Sequence, residues 1–229
     1  MSSEPISAYP APHVAVDVAL LTVVPGGGLA VLLHQRTGDR IGEWALPGRF
    51  VRPRERLADA VAIALQDKCG LSGRDLRGRA PRQLHVFDDP DRDDRGWVMS
   101  VAHLLGVPHA RLADLVARRP DLMLAPIRDH RARVPAQKRL PYGQDEIVRY
   151  AVEEIRERYR AEPDPEGLLE SGSFTLAELL AVHLAALDQE WQVDTFRRHM
   201  LPMLAETGEV STGRPGRPAT LYQRARDRA

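Results

Sequence analysis

WALPGRFVRPRERLADAVAIALQDKCGL, residues 44–71, is the stretch on which the architecture turns. Its second half reads as a helix from Arg56 to Cys69, because Leu57, Val61, Ala64 and Leu65 recur at the spacing that gathers side chains on one helical face. Gly70 then suits a helix stop. Two hairpins flank this helix. His13 to Val24 and Leu29 to Arg36, rich in Val and Leu, enclose the turn Pro25-Gly26-Gly27-Gly28, while Gln83 to Phe87 and Trp97 to Leu105 enclose DDPDRDDRG. The front of the chain is therefore mixed α and β.

The chain has 229 residues, 43% of them apolar, enough for two modest domains with real cores. Its formal charge is zero, so affinity for nucleic acid or membrane must come from local clustering. The run Val14 to Val24 is too short to span a bilayer and lacks signal-peptide flanks. A lone cysteine, Cys69, cannot form an internal disulfide, which fits a reducing compartment; the expectation is a cytoplasmic protein. Nearly all basic residues are arginine, so Lys68 stands out beside the only other lysine, Lys138.

Beyond residue 140 the strand signals fade. Gln144 to Arg160 carries Val148, Val152, Ile155 and Tyr159 on one stripe, an amphipathic helix, and EPDPEGLLESGS follows as a boundary. Thr175-Leu176-Ala177-Glu178 has the form of a capping box, ahead of Leu176, Leu179, Leu180, Leu184 and Leu187 at helical spacing. After the turn Asp188 to Gln192 comes a second short helix with Asp194 as its expected cap. Phe196 and Met200 face inward there, Thr195, Arg198 and His199 outward, with Arg197 at the flank. Pro202 should end or kink it.

STGRPGRPATLY, residues 211–222, is either a loose arginine-rich tail or the wing of a winged helix-turn-helix. Behind a capped helix pair the wing is the better reading, with the second helix entering the major groove and Arg214 and Arg217 presented to phosphates or a narrow minor groove. From Thr195 onward there are seven arginines against three acids. The division expected is a disordered leader over 1–12, an α+β domain over 13–143, a connecting helix and linker over 144–170, and a DNA-binding domain over 171–229.

Residues 44–71 resemble the Nudix box, patterned G-x(5)-E-x(7)-R-E-U-x-E-E-x-G-U with U aliphatic. Glu55 aligns with the first glutamate, Arg49 with the opening glycine and Ile63 with the arginine. The three acidic positions hold Ala64, Asp67 and Lys68. Three carboxylates at those positions would share one helix face and hold Mg²⁺ against a pyrophosphate; here that patch carries one negative and one positive charge. Neither a metal site nor catalytic residues are expected. A Nudix-like domain followed by FTLAELLAVHLAALDQEWQVDTFRRHM and GRPGRPATLY is similar to the Nudix-related transcriptional regulators of NAD metabolism, NrtR. The resemblance covers the chain from residue 13. It implies an α/β/α Nudix-like sandwich with a mixed sheet, followed by a C-terminal winged helix-turn-helix. It also implies a homodimeric repressor that binds operator DNA and is released by ADP-ribose or a related NAD derivative.

Arg36, Trp44, Arg49, Phe50 and Lys68 are the candidates for the ligand pocket. Lys68 is open to two readings, a phosphate ligand or a plain surface lysine, and Trp44 and Phe50 could equally be core aromatics. Thr195, Arg197, Arg198, His199, Arg214 and Arg217 are the candidates for DNA contact. Tyr142-Gly143-Gln144-Asp145 departs from the run the family would place before its long helix. Two alternatives remain: a hydrolase with a rearranged metal site built on Glu55, Asp67 and the acids of the 88–94 loop, and a regulator of the same build that senses sugars.

Overall fold

The computed structural model describes residues 8–76, 79–170, 172–211 and 218–225. Its centre is a mixed sheet in the order β5-β6-β1-β2-β7-β8. The strands are β1 (His13–Val23), β2 (Leu29–Gln35), β3 (Trp44–Ala45), β4 (Gly48–Phe50), β5 (Arg82–Phe87), β6 (Val98–Gly106), β7 (Leu122–Arg128) and β8 (Arg131–Ala132). β1 and β6 run parallel and the other pairs antiparallel; β3 adds to β2, and β4 to β1. Both expected hairpins form, with Leu21 opposite Val31 in the first and Val86 opposite Val101 in the second.

β1 is apolar on both sides over most of its length because both sheet faces are covered, with Asp17 as its buried charged exception. On one face lie α1 (Leu57–Cys69) and α2 (His109–Arg118), packing Val61, Leu65, Leu112 and Leu115 against Val16, Val18 and Leu20. On the other lies α3 (Gln144–Ala161), whose stripe Ile147, Val148, Ala151, Val152, Ile155 and Tyr159 is wholly buried against Ala19, Leu21 and Leu33. This is the expected α/β/α sandwich. Gly70 closes α1 in the left-handed conformation, its N–H reaching the carbonyls of Leu65 and Gln66. Cys69 is buried, and burial pushes its thiol up to about 12. α2 and β7 fill the interval 107–128, where no motif announced them.

The C-terminal unit comprises α4 (Leu176–Leu187), α5 (Val193–Met200), β9 (Leu204–Val210) and β10 (Thr220–Arg224), β9 and β10 pairing antiparallel. Phe174 exchanges two backbone hydrogen bonds with Tyr222, adding an isolated bridge beside β10. Phe174, Leu179, Phe196, Met200 and Tyr222 form its own core. The Thr175–Glu178 capping box is present in full. Asp194 is not the cap of α5: Gln192 occupies that position without a side-chain bond, and Asp194 lies in the first turn, where its charge still meets the positive end of the helix dipole. The helix stops at Met200 and passes into a 3₁₀ turn with Pro202 near its start.

α4 also docks on the sandwich, contributing Ala186 and Leu187 to the same cluster as α3. The joint between them is polar at its centre. Buried Asp164 accepts hydrogen bonds from Tyr159 Oη (2.6 Å) and from the N–H groups of Leu168 and Leu169. Its own N–H donates to Nε2 of His183 in α4 (3.2 Å), so that nitrogen must stay unprotonated. Burial lowers the His183 pKa to about 4 from an ordinary 6.5.

A neutral buried histidine costs nothing above pH 6.5, where the unfolded chain is also unprotonated, and penalises folding increasingly between pH 6.5 and 4. Linkage puts the loss at about 2 kcal/mol at pH 5. Urea unfolding at pH 7.5 and pH 5 should therefore show a smaller stability difference in His183→Gln, which keeps an acceptor but does not titrate, than in the unaltered protein. Equal differences in both proteins would contradict this assignment.

Candidate ligand pocket and nucleic-acid interface

Where β4 pairs with β1, the sheet opens into a cavity of about 240 Å³. Gly48 sits at its back; a β-carbon there would come within 2.4 Å of Asp17 Oδ1, so the position has no room for a side chain. Arg36, Arg49, Phe50 and Lys68 all line the cavity, as do Asp17, Arg92, Asp93, Arg95, Tyr142 and Gln144. Four of the five ligand candidates are thus brought together. Trp44 is the exception. It lies on β3, which pairs with β2 rather than β1, so its ring packs on the α3-side core while Gln137 bonds both its N–H and its carbonyl.

The floor is a buried carboxylate. Asp17 accepts from Ser100 Oγ (2.6 Å) and from Gln144 Nε2 (2.7 Å), and Gln144 Oε1 accepts from Leu46 N (2.8 Å). Burial raises the Asp17 pKa against the opposing pull of Ser100, Arg92 and Gln144. One wall is Tyr142, in the left-handed region at φ 56° just before Gly143 at φ 66°. That conformation costs a residue with a side chain about 1–2 kcal/mol. Arg95 stacks over its ring at 3.7 Å and Arg36 at 4.8 Å, and its hydroxyl donates to Asp39 (2.6 Å). Burial and that hydrogen bond raise the Tyr142 pKa.

Five cations face this space: Arg36, Arg49, Lys68, Arg92 and Arg95. Arg36 pairs with Asp39 (2.5 Å), Arg49 with Glu55 (2.5 Å) and Arg95 with Asp93 (2.8 Å), while Arg92 is 3.8 Å from Asp17. Among the described residues Lys68 has no carboxylate partner, and it lowers the pKa of neighbouring His34 together with that residue's burial. Arg92, Arg95 and Asp17 were not singled out by motif. The only signal was the alternation of Arg and Asp in the 88–95 turn, which reads equally as a solvated loop.

A magnesium cradle does not fit these residues. Glu55 is held by the Arg52 N–H (2.7 Å) and by Arg49, which keep its pKa low, so it is already fully engaged. Ala64 is buried, Asp67 is exposed, and no group of three metal-ligating side chains occurs among the described residues.

In the C-terminal unit, Thr195, Arg197 and Arg198 are exposed on α5, and neither arginine has an ion pair among the described residues. His199 is exposed but engaged: its Nε2 lies 3.1 Å from the carbonyl of Arg160 at the end of α3, and its ring sits 5.8 Å from that of Trp191. Arg214 and Arg217 fall outside the described residues, between β9 and β10. Among the described residues no helix is long and apolar enough to cross a membrane.

Residues 168–223 match the NrtR DNA-binding winged helix domain. The chain is 27% identical over 230 residues, 95% of its own length and 84% of the relative's, to the ADPR responsive transcriptional repressor NtrR of Acinetobacter baylyi. It superposes on Shewanella oneidensis NrtR complexed with a 27mer DNA at a TM-score of 0.73, with 29% identity and 93% of each chain covered. A MutT/nudix family protein from Enterococcus faecalis superposes at 0.72, with 26% identity over 95% of this chain and 90% of that one. With a Nudix-like sandwich in front and a match to the NrtR winged helix behind, the chain is similar over nearly its whole length to the Nudix-related NrtR regulators.

Proposed function

We propose that this protein is an ADP-ribose-responsive transcriptional repressor of NAD biosynthesis or salvage genes, binding its operator as a homodimer and its effector without hydrolysing it. The observation that carries the effector half is the exchange of charge in the pocket: Lys68 stands at a box acid position, and Glu55 is tied up by Arg49. A diphosphate carries the complementary charge, and guanidinium forks match its oxygens. Arg36, Arg49, Lys68 and Arg95 take the phosphates, Phe50 offers its exposed ring to a base, and the Asp17 carboxyl accepts from a sugar hydroxyl. With no carboxylate cluster among the described residues to seat a divalent ion, binding is independent of magnesium and no water is activated for attack.

For DNA, Thr195, Arg197 and Arg198 of α5 take the major groove, and Arg214 and Arg217 take backbone phosphates. One winged helix reads few base pairs, so a two-fold dimer on a palindrome is the form that gives useful specificity. The effector acts by favouring a dimer geometry in which the two α5 helices no longer match the half-site spacing.

Gel-shift titration on DNA upstream of NAD-biosynthesis genes should show binding that ADP-ribose reverses equally well in EDTA and in Mg²⁺. Steady release of AMP from ADP-ribose with Mg²⁺ or Mn²⁺ would overturn the non-catalytic reading, and a melting-temperature rise with pentoses but not ADP-ribose would replace the effector. Lys68→Glu should weaken ADP-ribose binding by about 1.5–3 kcal/mol, roughly tenfold or more, measured by calorimetry. Arg198→Ala should cost about 1–3 kcal/mol on the operator and relax preference at one base position, whereas Arg214→Ala with Arg217→Ala should weaken all sequences alike and flatten the salt dependence.

A further inference from the structure

Two of the five residues that follow Tyr159, Arg160 and Asp164, touch α4, α5 and β10 of the winged helix separately. The Asp164 N–H donates to His183 of α4, and the Asp164 carbonyl accepts from Arg224 Nη1 of β10 (2.7 Å). The Arg160 carbonyl faces His199 Nε2 of α5. Arg160 lies in the last turn of α3, where carbonyls have no partner within the helix, so His199 supplies one from outside. The other end of the same helix begins at the pocket, with Gln144 bonded to Asp17 and Leu46. Over its 18 residues α3 spans roughly 27 Å, and its inward face is fully packed, so it moves as a unit or not at all.

From this we infer that His199 is a positioning residue that ties α5 to the end of α3, setting the angle of the recognition helix, and that α3 carries pocket occupancy to that tie. His199 is therefore reassigned from the base-contacting set to the seat of the domain. The imidazole donates through Nε2–H to the Arg160 carbonyl, and a ring held there faces the sandwich rather than a groove. Loss of this bond removes the direct tie between α5 and α3 without touching the pocket. The inference rests on the regulatory reading above, but the seat itself can be tested without any effector.

Two measurements on the full chain separate the possibilities. With labels on Glu157→Cys in α3 and Asp194→Cys in α5, both exposed, spin-label distances report the seat directly, since native Cys69 is buried and silent. The distribution should be narrow with His199 or His199→Gln, whose carboxamide can also donate, and broad with His199→Ala. In operator binding, ADP-ribose should weaken the unaltered protein by about tenfold or more and His199→Ala by less than about threefold, with ADP-ribose affinity and operator base preference unchanged. A distribution as narrow in His199→Ala as in the unaltered protein would overturn the inference, as would a changed base preference with the effector response intact. If even the unaltered protein ignores ADP-ribose, the functional reading fails while the distance measurement still decides the seat.

Discussion

One carboxamide fixes how the front half is put together. Gln144 donates to a carboxylate that the sheet has taken out of water and accepts from the strand-side N–H of Leu46, so the start of α3, the floor of the cavity and the β3–β4 crossing are held by a single side chain. Asp17 cannot be buried unpaired, because an ionised carboxylate without partners loses far more in desolvation than any packing returns. Its partners Ser100, Gln144 and Arg92 come from three separate segments, which means the pocket closes only when the whole sandwich has assembled.

The electrostatics of the cavity follow from which box positions changed. A helix face bearing three carboxylates repels a diphosphate unless a divalent ion lies between them; the same face bearing an alanine, an aspartate and a lysine does not. Arg49 at the glycine position goes further and occupies the remaining glutamate. The arginines of the 88–95 turn then supply cationic side chains from the opposite rim, each oriented by a carboxylate or carbonyl so that the guanidinium is already in place. Reaction chemistry and ligand binding thus compete for the same few positions.

Much of this was legible in the chain itself. Hairpins with glycine turns, the α1 stop at Gly70, the α3 stripe and the Thr175–Glu178 cap all depend on neighbours in sequence, and each formed as read. What sequence hid was decided at long range. Trp44 left the pocket because its strand chose β2, a matter of pairing rather than pattern. Asp17, within an apolar run, gave no hint of its pairing with residues 83 and 127 positions away. His199 looked outward by helical phase, yet the neighbouring helix end lies on that side. Tyr142 and Gln144 sat in a stretch marked only as a departure from the family, and both proved to border the cavity.

Tyr142 sets local relaxation against grip. A glycine there would take the same left-handed turn without strain, and the segment leading into α3 would be more comfortable. It would also leave Arg36 and Arg95 without the ring they lie on and Asp39 without its phenol, so that only the ion pairs to Asp39 and Asp93 would hold the two guanidinium groups. The placing of cations around the cavity is thereby bound to a conformation the backbone would otherwise abandon, and relaxing it with glycine gives up the surface on which they lie.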